Sequence, residues 1–191
     1  MKKIGFVHIP KTAGGSIHHW FGVNNPDVIF CTSVHTFLED IEKEHGKVDF
    51  SFTCVRNIYD KMISFYNWQG PKHTKKHQKS LKKYGTSIYT DEIAAYEKGI
   101  VEYIRYAKST NNIMTISQLD YIHKVDFVMQ MKDLENDFKI IQEYTNCFAP
   151  LEKTKHVLNY NAQEFFTKDF RIAVKELFAD EIEYFNWKPR F

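Results

Sequence analysis

Residues 10–17, Pro-Lys-Thr-Ala-Gly-Gly-Ser-Ile, follow a short apolar run and bring together one cation, two glycines and two hydroxyls. Glycines let the backbone curl so that several N–H groups face one anion, and a helix beginning there adds the positive end of its dipole. Lys11 supplies a full positive charge at the same place, and Thr12 and Ser16 supply hydroxyl donors. The combination makes an anion cradle; an ordinary tight strand-to-helix turn is the other use of the same residues. The lysine precedes the glycines, unlike the GxxxxGK[ST] loop of kinases and ATPases, and no acidic residue stands clearly after a strand to hold magnesium.

The segment FVHIPKTAGGSI resembles the 5′-phosphosulfate loop of sulfotransferases that use 3′-phosphoadenosine 5′-phosphosulfate (PAPS). The likeness is to the carbohydrate-modifying branch, which includes the heparan sulfate uronosyl 2-O-sulfotransferases and their bacterial relatives. A second segment, FTCVRNIYDKMISFY, is similar to that family's 3′-phosphate motif, in which an arginine ends a strand and a serine follows in the next helix. Here these are Arg56 and Ser64. Arginine offers a bidentate fork for a phosphate, and the serine hydroxyl adds a donor. The resemblance implies cofactor contacts from Lys11, Thr12, Ala13, Gly14, Gly15, Ser16, Ile17, Arg56 and Ser64. Ile58 stands where the family usually has proline, and Lys61 where it usually has arginine. VDFVMQMKDLENDF and HVLNYNAQEFFTKDFRIAVKELFADEIEYFNW match more loosely, with Lys132 in place of a usual acid.

Sulfuryl transfer needs an acceptor hydroxyl to lose its proton as it attacks sulfur, in line with the leaving phosphate, so positioning and charge stabilisation dominate. Histidine suits a general base near neutral pH. Of nine histidines, His35 follows the second strand and resembles the position of the base in the 2-O-sulfating relatives; a surface histidine near a helix start is its plainer reading. His156 is the rival, since it opens the C-terminal family-like stretch and could bind the acceptor. His8 reads as a packed core residue, and His18 and His19 as helix surface. Lys11 would also neutralise charge on the bridging oxygen. The scheme requires no metal.

Alternating elements must position these residues. Residues 4–9 read as a buried strand, Gly14 opens a helix with Ile17, Trp20 and Phe21 on one face, and 28–31 and Phe50–Val55 read as further strands. Thr36-x-x-Glu39 predicts a capping box for a helix stopped by Gly46. Asn57 predicts the N-cap of a helix carrying Ile58, Met62, Phe65 and Tyr66. Residues 71–85 hold six lysines, two histidines and no acid. They predict a mobile basic loop, either a lip whose Lys72, Lys75 and Lys76 meet an anionic glycan or a solvated stretch that keeps the chain soluble. Thr90 precedes one long helix through Ile93, Tyr96, Ile100, Tyr103, Ile104 and Ala107. Residues 125–129 predict a strand, Leu134, Phe138 and Ile141 the next helix, and 167–182 the last, with Phe170, Val174, Leu177 and Phe178 inward. The expected fold is α/β: a single domain over 1–191, with a mainly parallel sheet flanked by helices and a P-loop-like phosphate-binding turn after the first strand.

Composition sets the outer limits. The 191 residues carry a net charge of only +2, which argues against a polycation that coats nucleic acid. Cys31, Cys54 and Cys147 lie far apart with no CxxC spacing, so neither a zinc site nor a disulfide framework is indicated, and a reduced, cytoplasmic chain is expected. The first apolar stretch ends at Pro10, too soon for a secretory segment or a membrane span. The expectation is a PAPS-dependent sulfotransferase acting on a hydroxyl of a carbohydrate. A nucleotide-dependent phosphotransferase, and a non-catalytic module that binds nucleotide or sulfated glycan, are the alternatives.

Overall fold

The computed structural model describes residues 1–84, 89–152 and 161–191, with the backbone alone at 71, 73, 74, 76 and 84. In chain order the elements begin β1 (Lys3–His8), α1 (Gly14–Asn24), β2 (Ile29–Val34), α2 (Leu38–His45), β3 (Phe50–Val55) and α3 (Ile58–Tyr84). They continue with α4 (Thr90–Glu97), α5 (Ile100–Ser109), α6 (Gln118–Ile122), β4 (Phe127–Gln130), α7 (Leu134–Thr145), α8 (Lys168–Leu177) and α9 (Ala179–Phe185). The residues group into two compact units, one of Met1–Arg56 with Ser117–Val157 and one of Asn57–Ile116 with Leu158–Phe191.

The first unit is α/β. Its four strands are all parallel, in the order β2-β1-β3-β4. Strands covered on both faces carry near-continuous apolar runs, as β1 does. In β3 the buried hydroxyls of Ser51 and Thr53 are satisfied by hydrogen bonds to Asp126 and to the Val7 carbonyl. On one face Ile4, Phe6, Phe52, Cys54 and Met129 pack against Ile17, Trp20 and Phe21 of α1 and Phe138 and Ile141 of α7. On the other, Gly5 lies under Val48 and Leu38, so close that a side chain there would meet a Val48 methyl at 3.1 Å. The Trp20 indole N–H donates to the Ala149 carbonyl at 2.8 Å, which satisfies the one polar atom of an otherwise buried ring. At the other end of the sheet Ser51 and Asp126 form a clasp. The amide and hydroxyl of Ser51 donate to Asp126 Oδ2 at 2.8 and 2.7 Å, and the Asp126 amide donates back to Ser51 Oγ at 3.0 Å.

The second unit is helical among its described residues. Ile58, Met62, Ile63 and Phe65 of α3 meet Tyr103, Ile104 and Ala107 of α5 and Phe170, Ala173 and Val174 of α8. Asn57 caps α3, its side-chain oxygen accepting from the Tyr59 amide at 3.1 Å.

Several expectations are corrected here. The basic stretch after Pro71 is helix, not loop, through Tyr84: α3 is 27 residues long. Proline removes one donor and costs about 3 kcal/mol inside a helix, yet the lysines, glutamine and leucine that follow are strong helix formers. The single helix expected beyond Thr90 is two, because Gly99 takes φ 107, a conformation that breaks the ladder. The last helix likewise divides at Phe178. The N-cap of α2 is Phe37 rather than Thr36, whose buried hydroxyl has no partner among the described residues, so the capping box does not form. β2 runs to Val34, and β4 begins at Phe127.

Candidate functional site

The chain passes from β1 to β2 on one side and later to β3 on the other, so the strand order reverses between β1 and β3. In open parallel sheets ligands bind at such a point, outside the carboxyl ends of the strands. The register sets His8 beside Val34 and Val7 beside Thr53, so the segments after β1, β2 and β3 leave from one edge. Lys11, His35 and Arg56 stand in those three segments, all within the first unit.

After β1 the backbone turns sharply. Lys11 and Ala13 both take φ 67, and Ala13 is the N-cap of α1. Non-glycine residues there cost about 1–3 kcal/mol each and persist only where their surroundings hold them. Thr12 is that support: it is fully buried, and its hydroxyl donates to the Ile9 carbonyl at 2.7 Å. Its hydroxyl proton is therefore spent inside the turn, contrary to its expected role as an anion donor. The amides of Ser16 and Ile17 donate to Ala13 O at 3.0 and 3.2 Å. Those of Gly14 and Gly15 come at the very start of α1, where a helix has no carbonyl of its own to offer them. Ile17 itself belongs to the core.

Arg56 is half-buried, and its guanidinium donates to the Lys11 carbonyl at 3.2 Å, joining the two resembled segments side by side. Its backbone is gripped by Gln118, a fully buried residue of α6. The Arg56 amide donates to Gln118 Oε1 at 2.9 Å, and Gln118 Nε2 donates to the Arg56 carbonyl at 3.0 Å. Nothing in the sequence marked Gln118, since a lone glutamine 62 residues away carries no pattern.

Three histidines gather beside the turn. The His8 ring stacks on Phe6 at 5.7 Å and lies 5.1 Å from His18 and 4.7 Å from His35. Burial, then His35 and His18, push His8 down to about 3, so it is uncharged at neutral pH. Burial, then His35, lowers His18 as well. His18, expected on the helix surface, sits edge-on to Phe6 at 5.5 Å and to Phe30 at 5.7 Å, whereas His19 is exposed. The signal was the alternation of β1: Ile4, Phe6 and His8 share the face that α1 covers. His8 also explains Gly14, because a side chain there would find three atoms of the His8 ring at 2.5 Å or less.

The remaining expected residues stand in the second unit or outside the described residues. Ser64 lies half-buried on α3 in the second unit. On the same helix Lys72 places its ammonium over the Trp68 ring, and Lys75 is exposed. Lys72, Lys75, Gln78, Lys79 and Lys82 line a groove of about 410 Å³. The Lys76 side chain and His156 lie outside the described residues. Among the described residues no group of three or more His, Cys, Asp or Glu side chains is placed to hold a metal, and no helix is long and apolar enough to cross a membrane. No family model matches the chain, and no curated protein matches it significantly.

Proposed function

We propose that the chain is a PAPS-dependent sulfotransferase that modifies a hydroxyl, most simply of a carbohydrate. One observation carries the reading: the Arg56 guanidinium bonds to the Lys11 carbonyl at the strand-order reversal, so residues of both resembled phosphate motifs meet where an α/β sheet binds ligands. The residues fit an anionic donor. Lys11 lies in the turn, the Arg56 guanidinium bonds to its carbonyl, and α1 opens there with the positive end of its dipole. The bound donor would supply an activated sulfuryl group on a phosphate leaving group.

In this reading Arg56 binds and orients phosphate, and Gln118 and the Lys11 carbonyl hold Arg56 in place. With the donor bound, Lys11 would supply positive charge to its phosphate leaving group. His35 takes the acceptor's proton. Ser64 and the lysines of α3 enter through the motif and their charge alone. The free thiols of Cys31, Cys54 and Cys147 suit a reducing, cytoplasmic setting.

Calorimetric titration with 3′-phosphoadenosine 5′-phosphate, without metal, tests the reading. Micromolar binding is expected, weakened at least about tenfold by Arg56→Ala and by Lys11→Ala, as loss of a charged phosphate contact of about 1.5–3 kcal/mol requires. Absence of binding by the wild type, or binding indifferent to both changes, refutes it.

A further inference from the structure

His35 leaves β2 with φ 61, a left-handed conformation uncommon for a non-glycine residue. The result of that turn is specific. The ring's Nδ1 lies 3.2 Å from the backbone carbonyl oxygen of His8, across the strand pair. A carbonyl can only accept, so the ring nitrogen that faces it must carry the proton in the neutral imidazole. That makes Nε2 the basic nitrogen.

His8 is well placed to hold this arrangement. It ends β1, where its backbone is fixed in the ladder opposite Val34. Its ring is wedged between Phe6, His18 and His35, in the space that Gly14 leaves empty. The same residue therefore touches the histidine after β2 and the helix start that follows the anion turn.

We propose that His8 is the positioning residue of the base: its carbonyl takes the Nδ1 proton of His35 and so selects the tautomer whose Nε2 accepts the proton of the attacking hydroxyl. The catalytic use of this tautomer rests on the sulfotransferase reading, while the tautomer itself does not. During the step the acceptor O–H bond breaks, its proton bonds to Nε2, and the ring becomes an imidazolium with both nitrogens protonated. The Nδ1–H bond to His8 persists, now charge-assisted and stronger.

Long-range proton–nitrogen correlation on imidazole-labelled protein, at a pH where His35 is neutral, reads the tautomer directly, with His35→Asn assigning the signals. Nδ1 is expected to be protonated and Nε2 unprotonated. The reverse tautomer, or exchange between the two, overturns the proposal. His8→Phe keeps the carbonyl and the packed ring, so the His35 tautomer should survive it. A switch of tautomer in that variant would mean that the His8 imidazole sets it, and overturns the proposal equally. Should the protein fail to bind 3′-phosphoadenosine 5′-phosphate, the sulfotransferase reading falls while the tautomer result stands by itself. With transfer measurable, His35→Asn should lose at least about 100-fold in rate with affinity for the bisphosphate within about twofold, the size expected for loss of a base alone.

Discussion

Lys61 is fully buried in α3, its ammonium 3.4 Å from the Ile116 carbonyl. Burial pushes it down from 10.5 to about 8, against the pull of Glu181 and with a further push from Lys108. Below about pH 8 the folded and unfolded chains both hold this proton, so it contributes no slope. Between about 8 and 10.5 the unfolded chain holds it and the folded chain does not, so stability rises with pH across that window. At about 1.4 kcal/mol for each pH unit, the complete rise is on the order of 3 kcal/mol. Cys54, Tyr66 and Tyr121, which burial pushes up to about 12, oppose it from about pH 9 upward, because the unfolded chain then loses protons that the folded one keeps. Urea denaturation of the wild type and of Lys61→Arg at about pH 7, 8.5 and 10 isolates the Lys61 contribution, since the opposing thiol and phenols are common to both. The stability of the wild type relative to the variant should climb to the last point. Lys61→Arg keeps a cation beside Glu181 that cannot be shed, so its stability, whatever its level, should lack the climb. A stability difference that stays flat or falls between about pH 8 and 10 refutes the reasoning.

Gly14→Ala forces the His8 ring to move, and overpacking of that kind costs about 1–3 kcal/mol; set against a helix-propensity gain of up to about 1 kcal/mol, urea denaturation should show a net loss. Gln118→Ala leaves both polar groups of the Arg56 backbone without their buried partner, so it should cost about 1–3 kcal/mol in the same measurement and weaken binding of 3′-phosphoadenosine 5′-phosphate alongside. Thr167→Ala removes the hydroxyl that accepts from the Phe170 amide at 3.2 Å and should cost about 1 kcal/mol of thermal stability. Burial raises the Cys31 thiol and pushes Cys54 up to about 12, so in native protein a thiol reagent should modify Cys147 quickly and the other two only on unfolding.

What could be read from the sequence was what local chemistry decides. The apolar runs that became β1 and β3 have no other use, and the turn between β1 and α1 was visible in its glycines. The end of β2 was not visible: Thr32 and Ser33 are polar because β2 is an edge strand paired on one side only, and polarity there looks like loop. The breaks at Gly99 and Phe178 were hidden because the apolar face continues across them, from Tyr96 to Tyr103 and from Val174 to Ile182. Lys11, His35 and Arg56 were legible as residues that follow strands. Gln118 and the cluster of His8 with His18 were not, since both depend on pairings that only the folded sheet creates.

The clasp between Ser51 and Asp126 joins residues 75 apart, whereas Thr32 reaches the Phe6 carbonyl across only 26. Between β3 and β4 the chain carries all of Asn57–Ile116. Closing the longer loop costs only about 1 kcal/mol more than closing the shorter, because loop entropy grows with the logarithm of length. Three hydrogen bonds at the clasp more than offset that difference. The sheet thus meets its last strand at nearly the same entropic cost over a wide range of chain lengths hung between its third and fourth, so that segment can grow, shrink or change composition while the turn after β1 and its flanking strands remain as they are.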